Sequence, residues 1–330
     1  MKIPRRVAMA LTAVMAALAS SYSHADAAIF CVHGTVQPPR TCEPLKTFTD
    51  IYDAQAASKP GDEVRVYGTV KIPDTLTLVA RKLTGFSGAV LDATNSRDPS
   101  AIRIVQAAVL TNLTLWTSHT TKTQTGIQLD NPGRIVTLNG VSIFGPTDGK
   151  GIGIEVRPGA GRLTVYGNTQ RSEISGHRIG ILADDPQGRP SVNGGTADEV
   201  KGLRVKIRNV DIGIQDAVSV PAQWFKTEIS CERTGGIGYL GIASKRSDLN
   251  GLKIHNCAVG LRLECVGSDC GGPREFDNLR VDATIAVQAR QPGGAFKNDY
   301  MDDRGCGDVW GQSTRLNGVF VPTKFAVVCP

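Results

Sequence analysis

The chain has 330 residues, of which 41% are hydrophobic and 21% are charged, with 37 glycines and a formal net charge of +6. This hydrophobic content excludes a disordered chain, and the length suffices for one large or two ordinary domains. The glycines do not recur at every third residue, which excludes a collagen-like protein. The small net charge, without dense basic clusters, argues against a nucleic-acid-binding protein.

The first 27 residues have the pattern of a secretory signal peptide. Lys2, Arg5 and Arg6 form a basic end, an apolar run covers 7–19, and residues 25–27 fit a cleavage site of small residues. The apolar run is shorter than the ~20 residues of a membrane-spanning helix. We predict that 1–27 are removed and that the mature chain, 28–330, is periplasmic or secreted without a transmembrane segment. It would carry 34 basic and 30 acidic residues, a charge of +4.

Two short apolar phrases recur along the chain. In both, apolar and polar residues alternate with the period of a β-strand. Copies of the first phrase are at 112–115, 139–143, 201–205, 250–254, 277–281 and 317–321. Copies of the second, which begins with glycine, are at 126–129, 153–156, 180–182, 213–214 and 260–263. Gly126, Gly153 and Gly180 are each 27 residues apart.

This period predicts stacked coils of short strands. A strand of three to five residues buries little by itself, but stacking each on its copy in the next repeat makes parallel sheets and a continuous core. A repeat in the twenties without helical periodicity predicts a parallel β-helix, and the leucine frame of leucine-rich repeats is absent. Gly176, Asn209 and Asn256 share one place between the phrases. These residue types tolerate left-handed backbone angles, which indicates a tight bend there.

The phrases resemble those of the right-handed parallel β-helix proteins of the pectate-lyase-like superfamily. The N-terminal stretch is similar too, because a helix-like run at 48–57 and Pro-Gly-Asp at 60–62 precede a strand at 63–70. The resemblance covers roughly 45–325. It implies an all-β fold, a single right-handed β-helix of about nine coils, with a short helix that caps the first coil. The N-terminal cap would cover about 28–62 and the C-terminal cap about 300–330.

All eight cysteines lie in the predicted mature chain. An even number in an oxidising compartment favours disulfides over metal ligands. Their spacing suggests the pairs Cys31–Cys42, Cys231–Cys257, Cys265–Cys270 and Cys306–Cys329, among the many pairings that eight cysteines allow. The separation of 26 residues between Cys231 and Cys257 is close to the repeat length, so these two are expected to lie on neighbouring coils.

An acidic pair near a base is the strongest candidate for a catalytic site. His177 and Arg178 lie on a predicted turn, and Asp184, Asp185 and Arg189 follow in the next loop. Carboxylates and a nearby base are the catalytic groups of a hydrolase or a lyase. The carboxylates could instead bind a cation such as Ca²⁺, and the arginines could bind a sugar acid. His177 shares its place in the repeat with apolar residues, so that a structural, inward-facing role is also open.

A basic stripe is the candidate for substrate binding. Arg204, Lys253 and Arg280 stand at the same point of the first phrase, between apolar residues. Strand alternation turns such residues outward, and stacked coils would align them. Together with Arg189 they are predicted to bind an anionic polymer. Outward charges on strands also serve solubility.

Three functions fit this pattern. The superfamily resemblance implies an enzyme, a polysaccharide lyase or glycoside hydrolase, that acts on an acidic polysaccharide in a groove along one sheet. The second is a non-catalytic glycan-binding or cell-surface protein that uses the same groove, and the third is a structural or host-interaction β-helix. An enzyme predicts carboxylates and bases that converge in the groove, a binding protein predicts a basic stripe alone, and an interaction protein predicts an exposed apolar patch.

Overall fold

The fold is seen in a computed structural model of the chain. It describes residues 27–36, 40–79, 81–130, 134–158, 160–167, 172–183, 200–217, 222–242, 248–264, 275–277, 279–290, 296–297, 308–312, 315–316, 319–320 and 324–326. Most of these residues are in β-strands, with one α-helix at Ile51–Ala57 and a short 3-10 helix at Pro44–Lys46.

The strands form three parallel sheets, A, B and C, which the chain visits in that order in each coil. Six long strands bend from one sheet into the next. Glu63–Lys71 and Arg81–Asp92 run from A into B, and Lys206–Ala217, Glu228–Ile242, Lys253–Glu264 and Arg280–Arg290 run from B into C. Sheet A also contains Ile29–His33, Thr47–Phe48, Ala108–Thr111, Val136–Asn139, Leu163–Tyr166, Val200–Leu203, Ala222–Phe225, Asp248–Asn250, Glu275–Asp277 and Asp308–Gln312. Sheet B also contains Thr114–Trp116, Ser142–Phe144, Glu173–Ser175 and Arg315–Leu316. Sheet C also contains Leu76–Leu78, Ser100–Ile104, Thr125–Leu129, Ile152–Val156 and Ile179–Ala183.

Strand register shows that the repeats stack as the sequence predicts. In sheet C, Ile154 pairs with Ile127 of one neighbouring coil and with Ile181 of the other. All three side chains are buried at 1% exposure or less, in one core that runs along the axis. Parallel strands joined by crossovers take the right-handed sense. The chain is therefore a right-handed parallel β-helix, as predicted; the number of coils stays a prediction.

The glycines of the second phrase are required by a close approach between coils. A Cβ on Gly153 would lie 2.4 Å from Cγ2 of Ile174 in the next coil and 2.5 Å from the carbonyl oxygen of Gly180. The same isoleucine contact recurs for glycines 126, 180, 213 and 238. The 27-residue spacing in the sequence thus records a steric requirement that repeats once per coil.

The predicted bends between the phrases are confirmed. Gly176, Asn209 and Asn256 have φ angles of 77°, 48° and 56°, in the left-handed region. These residues follow the sheet B strands and turn the chain toward sheet C. The left-handed angle at this position disfavours most residues with a Cβ, apart from asparagine and aspartate.

The N-terminal end carries the predicted capping helix. Its N-cap, Asp50, accepts a hydrogen bond from the backbone N–H of Tyr52 at 2.7 Å, and Ile51 and Ala54 are buried in the core. The strand Ile29–His33, which the repeat pattern does not reveal, pairs in parallel with Glu63–Lys71 and starts sheet A.

The C-terminal end departs from the repeat. Val319–Phe320 pairs antiparallel with Arg315–Leu316, and Lys324–Ala326 pairs antiparallel with Asp308–Gln312. The described part of the phrase at 317–321, Val319–Phe320, is therefore antiparallel to its neighbour and is not a parallel strand of another coil. Its apolar alternation is the same in both arrangements, so the sequence did not distinguish them.

Two of the predicted disulfides, Cys31–Cys42 and Cys231–Cys257, are present. The other two predicted pairs and residues 1–26 of the predicted signal peptide lie outside the described residues. Within the described ranges, no helix has the length and hydrophobicity to cross a bilayer.

Candidate functional site

A groove begins at the bend between sheets A and B and continues over the outward face of sheet B, toward the C-terminal end of the β-helix. Its first cavity, about 410 Å³, is lined by Arg204, Val205, Lys206, Lys226, Glu228, Gly251 and Lys253. The adjoining cavity, about 320 Å³, shares Lys253 and is also lined by Ile254, His255, Asn256, Arg280 and Asp282. We call these two cavities together the basic groove.

One column of the basic groove comes from the outward positions of sheet B. Lys206 pairs with Glu228, Glu228 with Lys253, and Lys253 with Arg280, each in the next coil. The predicted alignment of Lys253 and Arg280 is correct. The predicted equivalence of Arg204 with them is wrong, because Lys206 holds that position.

Arg204 and Lys226 form a second basic column, on the bend itself. Their φ angles are 57° and 49°, and they follow sheet A strands that pair in register. In other coils this bend position holds Asn112, Gly140 or Gly251. A left-handed angle costs a residue such as lysine or arginine roughly 1–2 kcal/mol, so two long cations here are placed against local preference.

The two columns place a basic side chain in each of four successive coils. The first coil carries Arg204 and Lys206, and the following coils carry Lys226, Lys253 and Arg280. Neighbouring coils are about 4.8 Å apart. The acidic groups that line the two cavities are Glu228 and Asp282, so the cationic groups outnumber them.

A histidine–carboxylate contact lies in the same groove. Nε2 of His255 is 3.2 Å from Oε1 of Glu228, and the two side chains are 37% and 29% exposed. They are diagonal neighbours on adjacent strands, because Glu228 pairs in register with Lys253 and His255 pairs with Ser230. Sequence reasoning missed this pair, since the partners are 27 residues apart and only the register brings them together.

The predicted catalytic residues lie elsewhere or outside the described residues. His177 is 1% exposed beneath the bend from sheet B to sheet C, and Arg178 is exposed on that bend. This burial favours the structural role that the sequence left open for His177. Asp184, Asp185 and Arg189 lie outside the described residues, so that their catalytic or binding roles stay predictions. In the described part of the chain, no three His, Cys, Asp or Glu side chains are grouped to hold a metal ion, and Ca²⁺ binding also stays a prediction.

The bend between sheets A and B continues toward the N-terminal end with a different lining. A cavity of about 380 Å³ there is lined by uncharged residues, among them Thr84, Phe86, Asn112, Thr114 and Ser142. The positive character is therefore a property of the basic groove and not of the whole bend.

A separate cleft on sheet C, about 380 Å³, has balanced charges. Glu155 and Arg157 line it together with Arg103. Arg157 lies 3.6 Å from Glu155 and 3.7 Å from Asp130, which also contacts Arg103 at 2.6 Å. Because two arginines face two carboxylates, this cleft has no excess charge to attract an anionic polymer.

Burial raises the pKa of Glu155 above its ordinary value of 4.5, Arg157 beside it acts to lower this pKa, and the negative charge of Asp130 adds to the rise. A carboxyl with a raised folded pKa stabilises the fold when protonated, and this contribution is lost as the pH rises from 4.5 through the folded pKa.

We expect the free energy of unfolding of Glu155→Gln, relative to that of the wild type, to be higher at pH ~7 than at pH ~4, because glutamine has no charge to bury. Urea unfolding at both pH values measures this, with Glu43→Gln at an exposed ion pair as control. An equal difference at both pH values would contradict it.

The comparisons with known proteins found a similarity in structure. No protein-family model matches the chain, and no curated protein matches it. Among solved structures, the chain is similar to the crystal structure of a pectin methylesterase in complex with hexasaccharide VII. The TM-score is 0.45 at 11% sequence identity, covering 91% of this chain and 92% of that chain. The strand register establishes the β-helix independently of this similarity.

Proposed function

We propose that this β-helix protein binds an acidic polysaccharide along the basic groove. The proposal is based on one observation: each of four successive coils places at least one basic side chain in the groove, on an open surface parallel to the axis. A polymer with a carboxylate on each sugar presents anions at a repeat close to the spacing of the coils. Such a polymer would meet Lys206, Lys226, Lys253 and Arg280 in turn.

The placement of Arg204 and Lys226 supports the same function. Glycine or asparagine would occupy their left-handed bend positions without strain, as in the coils of Asn112 and Gly140. Retaining two cations there at a cost in stability is the pattern of a functional site. The side chains of Arg204 and Lys226 are also exposed, so their charges contribute little to the fold and remain available to a ligand.

Replacing the sheet B column by alanine tests the binding. We expect Lys206→Ala, Lys253→Ala and Arg280→Ala each to weaken the affinity for polygalacturonate or alginate about two- to fivefold, and the triple variant on the order of 10- to 100-fold. The affinity should fall with added salt, because exposed charges are screened. Isothermal titration calorimetry with dextran as the neutral polymer measures both effects.

Lys71→Ala is the matched control for this experiment. Lys71 is an exposed residue at an outward position of sheet B, far from the basic groove toward the N-terminal end. Equal losses for Lys71→Ala and Lys253→Ala, or equal affinity for dextran and the uronate polymers, would contradict a specific basic groove.

Lys226→Asn separates binding from stability. Asparagine tolerates the left-handed angle, so we expect the free energy of unfolding to stay equal or rise by up to about 1 kcal/mol. The affinity for the acidic polymer should fall about two- to fivefold, because one cation of the groove is lost. Urea unfolding and calorimetry on the same sample measure both. A loss of stability with unchanged affinity would show that Lys226 serves the fold instead.

We also propose that residues 1–27 are cleaved and that the mature protein acts in the periplasm or outside the cell. The disulfides Cys31–Cys42 and Cys231–Cys257 support this, because such bonds persist in oxidising compartments. The mass of the protein recovered after export tests the cleavage site.

A further inference from the structure

The cleft on sheet C, which polymer binding does not use, has a buried polar floor and charged walls. The polar residues of the floor are each 7% exposed or less: Ser100, Thr125 and Gln128. Arg103, Glu155 and Arg157 line the walls of the cleft, whose volume is about 380 Å³. Polar side chains are mostly exposed in folded proteins, so a buried set of them under charged groups in a concave site is the arrangement of a binding site.

Arg157 is held by the floor of the cleft and only loosely by the carboxylates. The hydrogen-bond network assigns the amide orientation of Gln128: its nitrogen donates to Oγ of Ser100 at 3.3 Å, and its oxygen accepts from Nη2 of Arg157 at 2.9 Å. Nε of Arg157 lies 3.6 Å from Glu155 and 3.7 Å from Asp130, and both distances are longer than a hydrogen bond. An amide oxygen carries no full charge, so Gln128 orients the guanidinium without neutralising it.

Glu155 is the group of opposite charge beside this guanidinium. Burial raises the pKa of Glu155 although Arg157 acts to lower it, so the neighbouring cation does not offset the cost of burying the carboxylate. Asp130 is paired more closely, because Nε of Arg103 donates to it at 2.6 Å. Glu155 and Arg157 are therefore an anion and a cation side by side, and each has the capacity to bind a further ionic partner.

We propose that the cleft on sheet C binds a free α-amino acid as a zwitterion, with the ammonium group of the ligand on Glu155 and its carboxylate on Arg157. The two charged groups of an α-amino acid are attached to the same carbon atom, which fits a carboxylate and a guanidinium that are themselves 3.6 Å apart. A ligand without net charge suits a cleft whose charges balance, whereas a lone cation or anion would leave one member of this pair without a partner.

The rest of the cleft favours a polar side chain on the ligand. Thr75 and Thr77 line it together with the polar floor, so hydroxyl groups are available to an amide or hydroxyl group of the amino acid. The site lies on a different sheet from the basic groove and goes beyond the proposed polymer binding.

Calorimetry with L-glutamine and L-serine as the probes tests the site. We expect the mature chain to bind at least one of them with a Kd on the order of 0.1–1 mM. N-acetyl derivatives lack the ammonium group and α-amides lack the carboxylate, so each should bind at least about tenfold more weakly than the free amino acid. Glu155→Gln and Arg157→Gln should each weaken the affinity about tenfold. Asp148→Asn, at an exposed ion pair with Lys122 outside the cleft, should leave it unchanged.

The protonation of Glu155 gives a second measurement. Asp130 and Arg157 are the charged groups that face it. Because an ammonium group favours the ionised carboxyl, binding at pH ~5 should release protons, and the heat of binding should depend on the ionisation enthalpy of the buffer. This dependence should disappear in Glu155→Gln, which a purely structural role of Glu155 would not cause.

Three results would overturn the proposal: no binding of either amino acid at concentrations up to about 10 mM, equal affinity for an amino acid and its N-acetyl derivative, or an unchanged affinity in Glu155→Gln. If a variant does not fold, the N-acetyl derivatives and α-amides decide, because they are measured on the wild type. Lys253→Ala should weaken polymer binding and leave the affinity for the amino acid unchanged, so the two proposals fail separately.

Discussion

Gly153→Ala is expected to lower the free energy of unfolding by about 3 kcal/mol. The new Cβ would lie 2.4 Å from a methyl of Ile174 and 2.5 Å from the backbone oxygen of Gly180. The methyl moves only if the isoleucine changes its rotamer within a packed core, and the oxygen moves only if the next strand shifts. Because each coil packs on the next, a shift at one coil disturbs its neighbour as well. Urea unfolding followed by circular dichroism measures the loss.

Gly61→Ala is the control that separates collision from backbone strain. Gly61 has a φ of 95° and no atom within 4 Å of an added Cβ, so alanine there suffers strain alone. Its cost should be about 1–2 kcal/mol. If Gly153→Ala costs no more than Gly61→Ala, the contact between coils does not determine the glycine spacing.

Removing the disulfide between Cys231 and Cys257 is expected to cost about 3 kcal/mol and to impair the basic groove. The bond closes a loop with a sequence separation of 26 residues, which limits the entropy of the unfolded chain. It also joins the coil of Glu228 to the coil of His255, shortly after each of these residues. The double variant Cys231→Ala/Cys257→Ala should therefore show a lower urea midpoint and weaker binding of the acidic polymer.

The second disulfide provides the matched control. Cys31 and Cys42 are 11 residues apart in the N-terminal coil, so their removal should cost a similar free energy, again about 3 kcal/mol. They lie far along the axis from the basic groove, and polymer affinity measured under folded conditions should not change. Equal effects of the two double variants on affinity would show that the groove responds only to overall stability.

Much of the fold was predictable from the sequence because the physical requirements repeat once per coil. The alternation of apolar residues, the glycines at 126, 153 and 180, and the left-handed bends at Gly176, Asn209 and Asn256 are each a local constraint visible in the residue type. The pairing of Cys231 with Cys257 followed from the same period. The strand at Ile29–His33 was missed because it precedes the capping helix and has no copy of the phrase to mark it.

The candidate site was predictable only in part, and the position of Arg204 shows why. The sequence aligned Arg204 with Lys253, whereas the structure aligns Lys206 with Lys253 and puts Arg204 on the bend. A shift of two residues keeps every side chain of a strand on the same face, so alternation cannot detect it. The hydrogen-bonded register between strands decides it.

The sequence by itself determined a stack of short strands, the places where the chain bends, and which side chains turn outward, because each depends on neighbours within a few residues. Only the tertiary structure decided which outward side chains meet. Glu228 contacts His255, and Lys226 joins Lys206 and Lys253 around one cavity, because parallel pairing sets residues of different coils side by side. That pairing is a long-range interaction between whole strands, and no single residue type records it.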